Sequence, residues 1–258
     1  MQQKKINIIC VGVQRSATTS IYEDIINSIG LNKNQIKEKG SLFNSNNLPS
    51  GMYLKKPIKR EKKDRYWVDF TPEYCLYLNE IKIPKQSFSF IIFRKPSTRI
   101  ISHWQKYNNE VKKINFDDFL SKNIDDCVKR STYSLFLPDI IRLKIKIYFL
   151  SGDREALYDD LSTYIGLKIK YDNVKKNSAI VLPKHLNFIF KIYSRRLKFL
   201  HPLLQILGAK FFFRNYMRKN YSSKLIPTIN NDNIKFLEEL DYQQKLIFIS
   251  NNIDPGWN

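Results

Sequence analysis

Arg15, Ser16, Thr18 and Thr19 crowd into the stretch Val11-Gly12-Val13-Gln14-Arg15-Ser16-Ala17-Thr18-Thr19-Ser20. A guanidinium flanked by hydroxyls suits the grip of an oxyanion, because its planar fork donates two parallel hydrogen bonds and the hydroxyls add more. The flanking residues say how that grip would be held. Apolar, mostly β-branched residues from Ile6 to Cys10 lead into the stretch, and Ile21, Ile25, Ile26 and Ile29 follow at helical spacing. Strand, tight turn and helix aim backbone N–H groups and the positive end of a helix dipole at one spot. The phosphate-binding set expected here is Arg15, Ser16, Ala17, Thr18, Thr19 and Ser20.

A second constellation follows another buried-type strand, Ser87 to Phe93. It reads Arg94-Lys95-Pro96-Ser97-Thr98-Arg99-Ile100-Ile101-Ser102-His103-Trp104. Pro96 suits the first turn of a helix, whose missing N–H costs nothing there. Arg94 then sits at the strand end, and Ser102 lies about two turns into the helix. Arg99 and Ser102 are three apart and are expected to share a face, and an arginine and a hydroxyl converging at this strand–helix junction make a site for a second phosphate. His103, next to Ser102, turns away by about 100° and is assigned no catalytic role.

A carboxylate completes the set. Tyr66-Trp67-Val68-Asp69-Phe70 alternates as a short strand, and Thr71-Pro72-Glu73-Tyr74 has the composition of a helix start. Asp69 is thereby placed at the C-terminal end of a strand, the edge at which open α/β sheets bind ligands.

The first loop is not that of a nucleotide triphosphatase, because Thr18 stands where the lysine of G-x-x-x-x-G-K-[ST] belongs. It resembles the first motif of the sulfotransferases that use 3′-phosphoadenosine-5′-phosphosulfate, roughly G-x-x-[KR]-[ST]-G-T-[TS], with Ala17 in place of the usual glycine and Arg15 in place of the commoner lysine. The second constellation matches that family's R-x-P-x-x-R-x-x-S-x-[WY] at every specified position. The two motifs lie ~80 residues apart, and neither alone would carry the resemblance. Asp69 falls on the acidic position of the family's [GE]-[ED]-x-[ST]-P-x-Y, being one methylene shorter than the usual glutamate. The resemblance implies a P-loop-like three-layer α/β fold with a central parallel sheet flanked by helices. It implies transfer of a sulfuryl group from that donor to a hydroxyl, or secondarily an amine, without a metal. Arg94 and Ser102 would hold the 3′-phosphate, Arg15 would meet charge on the leaving phosphate, and Asp69 would take the acceptor's proton. Lys37-Glu38, with Phe43 beyond, is similar to a lysine-glutamate-aromatic segment of the same family, but the loose spacing assigns it no role.

The elements that must position these groups are legible in outline. Helices are expected over Asn115 to Val128, over Ser131 to Leu143, and over Asp153 to Tyr164 with Gly166 closing the last. A strand is expected from Lys144 to Leu150. Phe149-Leu150-Ser151-Gly152-Asp153, Tyr164-Ile165-Gly166-Leu167 and a last helix before Gly256-Trp257 resemble the family's later segments. Residues 31 to 65 are polar and irregular. Lys55 to Arg65 carries seven basic residues, either a solvated loop or a lip that attracts an acidic acceptor. Residues 183–221 mix basic and aromatic groups and read as a basic aromatic helical segment, packed on a core or resting on an anionic membrane.

With 258 residues, 43% hydrophobic and 14% aromatic, the chain is long and apolar enough for one sizeable core, and a single domain over 1–258 is the expectation. A formal charge of +20 implies an anionic partner unless it reflects codon bias toward lysine. A phosphorylated donor, an anionic or lipid-linked glycan acceptor and peripheral contact with a membrane all satisfy it. Cys10, Cys75 and Cys127 fit neither a disulfide framework nor a zinc site, and no clustered ligand set accompanies His103, His185 or His201. No apolar run approaches the ~18 residues of a membrane span, and no removable signal peptide fits ahead of Gly12. The expected location is cytoplasmic, at most peripheral on the inner face of the membrane. Two other functions share these features. A kinase or nucleotide hydrolase would use the same scaffold, and a non-enzymatic basic protein binding nucleic acid or membrane would use the charge alone.

Overall fold

In the computed structural model, residues 5–31, 37–38, 40–43, 65–111, 113–170 and 226–257 are described. The Lys55–Arg65 stretch apart from Arg65, segment 183–221, His185 and His201 lie outside them.

Parallel strands β1 (Ile6–Cys10), β2 (Tyr66–Phe70), β3 (Ser87–Phe93) and β4 (Lys146–Phe149) form one sheet in the order β2-β1-β3-β4. Successive residues of β1 face opposite sides, as strand geometry requires. Ile6, Ile8 and Cys10 join a core with Ile21 and Ile25 of α1 (Thr18–Ser28) and Leu157 and Leu161 of α5 (Arg154–Ile165). Ile9 and Val11 face the other way, into a core with Ile91, Phe93, Tyr74 and Phe248. Helices thus cover both faces of a parallel sheet, which is why its strands read as near-continuous apolar runs.

The chain leaves β1 for β2 on one side, then crosses to β3 on the other. That reversal opens a crevice at the C-terminal ends of β1 and β3. Backbone pairing there outlasts β1: Val11 N donates to Phe90 O, Ile92 N to Gly12 O and Val13 N to Ile92 O. The loop after β1 is therefore drawn up beside the last residues of β3, level with Arg94.

After β3, α2 (Pro96–Glu110) packs against α3 (Phe116–Lys129) and α6 (Asn231–Ser250), around Ile100, Trp104, Phe119, Leu120 and Leu237. Asn115 caps α3, its side chain accepting from Asp118 N, as the composition predicts. The single helix expected over Ser131 to Leu143 is instead a 3-10 turn, Tyr133–Leu135, followed by a short α4, Leu137–Arg142. Pro138 explains the break, since proline is tolerated in the first turn of a helix but has no N–H to continue one. Likewise Pro72–Leu76 is a 3-10 turn, and Thr71 does not cap it.

Candidate functional site

The β1–α1 turn is tight, with Ser16 N donating to Val13 O and Ser20 Oγ to Ala17 O. Arg15 (φ 72) and Ala17 (φ 58) both take left-handed backbone, Ala17 as the residue before α1. Gly12 is required by close approach: a Cβ there would sit 3.1 Å from the Pro72 carbonyl oxygen and 3.0 Å from Cys75 Sγ. Ser16 is buried, and its Oγ has no hydrogen-bond partner among the described residues. Thr18 and Ser20 are buried at the start of α1.

Two residues far apart in sequence meet this turn. Arg15 Nη2 donates to Ser102 Oγ at 3.2 Å. Arg94 Nη1 donates to the Arg15 carbonyl at 3.0 Å, while its Nε donates to Thr98 Oγ1. Arg15, Arg94 and Ser102 are therefore one hydrogen-bonded cluster in the crevice between β1 and β3. Burial, and after it the adjacent Arg15 charge, lower the Arg94 pKa from its ordinary value. Two like charges in one cluster repel, and an anion bound there would offset both that repulsion and the burial.

Arg99 does not join them. It is fully buried, donating from Nε to Ser131 Oγ at 2.7 Å and from Nη2 to the Cys127 carbonyl at 2.8 Å. The shared face expected of Arg99 and Ser102 therefore divides: the two are a turn apart on α2, but Arg99 faces the α3 side and Ser102 the loop. His103 also leans on α3, its Nδ1 4.0 Å from Asp126 Oδ2 and its ring edge-on to Phe119. Burial, then the Arg99 charge, push its pKa down to about 4, so the imidazole is neutral at pH 7.

A third cation arrives from a segment to which the sequence assigned no role. Lys37 Nζ donates to Thr18 Oγ1 at 3.0 Å and Thr19 Oγ1 at 3.1 Å. The turn lacks the lysine of a nucleotide triphosphatase at position 18, yet a lysine reaches the same hydroxyls from outside it. The lysine-glutamate-aromatic spacing was the available signal, but the contact itself is tertiary.

Asp69 is what docks that segment. It is fully buried at the end of β2. Its Oδ1 accepts from Thr71 Oγ1, and its Oδ2 accepts from Ser41 N, Ser41 Oγ and Tyr74 Oη, all within 2.9 Å. Around it, Phe70 N donates to the Lys37 carbonyl, Gly40 N to Thr71 Oγ1 and Leu42 N to Tyr74 Oη. Glu38, in contrast, keeps 42% of its side chain exposed beside Lys37, 3.4 Å away. Glu73 is buried with Arg130 Nη1 at 3.9 Å, and its pKa is raised by burial first and then by the Glu38 charge.

Among the described residues, no group of three His, Cys, Asp or Glu side chains is placed to hold a metal ion, and no helix is long and apolar enough to cross a membrane. Compared with known proteins, the chain matches no family model, no curated protein and no solved structure. Its function must therefore be argued from the geometry.

Proposed function

We propose that the chain is a sulfotransferase with a P-loop-like fold, moving a sulfuryl group from 3′-phosphoadenosine-5′-phosphosulfate to a hydroxyl, secondarily an amine. The observation that carries this reading is the cluster of Arg15, Arg94 and Ser102, in which the two motif segments are joined by hydrogen bonds. The residues fit such a donor: two arginines in one hydrogen-bonded cluster, a buried unpartnered Ser16 hydroxyl and a lysine on the α1 hydroxyls all suit a multiply charged anion. Arg94 and Ser102 would take the 3′-phosphate. Arg15, Ser16, Ala17, Thr18, Thr19 and Ser20 would surround the 5′ side.

In the reaction, the acceptor oxygen bonds to sulfur as the bond from sulfur to the bridging phosphate oxygen breaks. The transition state of such a transfer is loose, so positioning and charge stabilisation dominate. Lys37 and Arg15 stabilise charge growing on the departing phosphate without a metal. In this reading the acceptor's proton goes to Glu38 rather than Asp69. Both Asp69 oxygens are already engaged by buried donors, whereas Glu38 is exposed at the mouth beside Lys37. The acceptor is proposed to be a glycan, a lipid-linked glycan or a small hydroxyl compound.

Calorimetry tests the donor site. Adenosine 3′,5′-bisphosphate should bind far more tightly than ADP, and Arg94→Ala should cost ~1.5–3 kcal/mol of that binding, the worth of a charge-assisted hydrogen bond. Equal affinity for the two nucleotides would overturn the reading. A phosphoryl-transfer enzyme on the same scaffold is the second reading, favoured by Lys37 on the α1 hydroxyls. It predicts a magnesium requirement and no gain from a 3′-phosphate.

A further inference from the structure

The Arg94 turn is clamped from outside by groups that belong to neither motif. On one side, Asp241 of α6 accepts from Ser97 N at 2.8 Å and lies 3.7 Å from Lys95 Nζ. The side chain is largely buried, and burial raises its pKa. On the other side, Tyr133 Oη donates to the Arg94 carbonyl in a short bond of 2.5 Å. Tyr133 is itself fixed by α6, because Gln244 Oε1 accepts from Tyr133 N at 2.7 Å and Ser134 N at 3.3 Å. Gln244 is buried, and Tyr133 is fully so.

We infer that Asp241 and Gln244, acting with Tyr133, are positioning residues that set Arg94 for the 3′-phosphate, so that the last helix governs selectivity for a 3′-phosphorylated nucleotide. The inference rests on the donor-site reading above and deepens it. The physical reason is that an arginine at a strand end points where its peptide planes direct its Cα–Cβ bond. The carbonyl of Arg94 is held by Tyr133, and the amide of Ser97, at the start of α2, is held by Asp241. With both held, the guanidinium is presented to the Arg15 carbonyl and to Ser102's neighbourhood before any ligand arrives, which lowers the ordering cost of binding. Asp241 also occupies the first turn of α2. The Ser97 N–H is therefore already taken by a carboxylate, and Arg94 and Ser102 are the groups left to hold the phosphate in this reading.

The test is titration calorimetry on the full chain with two probes, adenosine 3′,5′-bisphosphate and 5′-AMP. They differ only in the phosphate that Arg94 is proposed to meet. Tyr133→Phe keeps the buried ring and removes one hydrogen bond, and Asp241→Ala removes the other. Each should weaken the bisphosphate by about 3–10-fold, the worth of one hydrogen bond, while 5′-AMP stays within about twofold. Asp241→Asn, which keeps an oxygen for Ser97 N, should restore the wild-type ratio of the two affinities. An unchanged ratio in either Tyr133→Phe or Asp241→Ala, or equal loss of both ligands, overturns the inference and leaves the donor site standing. A wild-type chain that does not prefer the bisphosphate brings down the donor site and this inference together.

Discussion

Ala17 holds left-handed backbone at φ 58 in a position where a Cβ is crowded by the carbonyl that follows. Replacing it by glycine removes that crowding, worth ~1–2 kcal/mol, and frees the unfolded chain, which costs ~0.4–1 kcal/mol. Ala17→Gly should therefore raise stability, by up to about 1.6 kcal/mol, in a urea titration. A fall would mean the turn is not under this strain. His103 offers a second residue-scale outcome. Its folded pKa is about 4 against 6.5 ordinarily, so between those values the unfolded chain binds more protons than the folded one. Its contribution is full above about pH 6.5 and is lost as the pH falls toward 4. Asp126 on α3 opposes the shift, while Arg15, Arg99 and Arg130 reinforce it. With the ring partly exposed, the loss is of order 2 kcal/mol. His103→Gln should flatten that part of the stability–pH curve, and identical curves for the two proteins would remove His103 from the account.

One scale up, the element on which the proposed reaction most depends is the Lys37–Phe43 segment, of which 37–38 and 40–43 are described. It has no regular structure there and is placed by its hydrogen bonds to Asp69, Phe70, Thr71 and Tyr74. Asp69→Ala strands several buried donors, each costing ~1–3 kcal/mol when unsatisfied, so a stability loss of at least ~3 kcal/mol is expected. It should also lower donor affinity, because Lys37 loses its mooring. Glu38→Gln should do the reverse, leaving the melting temperature and donor affinity near wild type while cutting turnover by ~10²-fold or more, the range for a lost general base. Full turnover in Glu38→Gln would return the role of base to Asp69 or pass it to Glu73.

For the whole molecule, the decisive contact is between the last helix and the ends of the two strands β3 and β4. Phe248 of α6 is fully buried among Phe93, Phe149, Tyr133 and Trp257, with ring centroids 4.8 to 5.9 Å away. Phe248→Ala should cost ~3–5 kcal/mol by leaving a cavity at the end of the sheet. Since the same helix carries Asp241 and Gln244, the loss should appear in bisphosphate binding as well as in the unfolding midpoint. The net charge of +20 is a separate whole-molecule property. If the acceptor is membrane-borne, the chain should sediment with anionic vesicles and release as salt rises, at up to ~1 kcal/mol per basic residue near the surface. Salt-insensitive partitioning, equal on neutral vesicles, would leave a soluble acceptor.

Local pattern alone determined a good deal here. The apolar runs of β1 and β3, the alternation in β2, Pro96 opening α2 and Gly166 closing α5 at φ 74 are all readable because their causes lie within a few residues. Placing Arg15 and Arg94 at neighbouring strand ends follows from the parallel sheet, whose strand ends share an edge, but the hydrogen bonds that join Arg15, Arg94 and Ser102 span 79 and 87 residues and are tertiary. What the tertiary structure alone decided is which way each polar group turned. Arg99 and Ser102 look equivalent on a helical face, but the end of α3 and the turn after it offer Cys127 and Ser131 oxygens to one of them and the loop offers Arg15 to the other. Asp69 looks like a free carboxylate until the 40–43 backbone closes over it, and Lys37 looks like one lysine among many until β2 fixes its carbonyl. Those outcomes depend on partners 28 to 87 residues away, and a buried polar group takes the orientation that satisfies it, which no local pattern encodes.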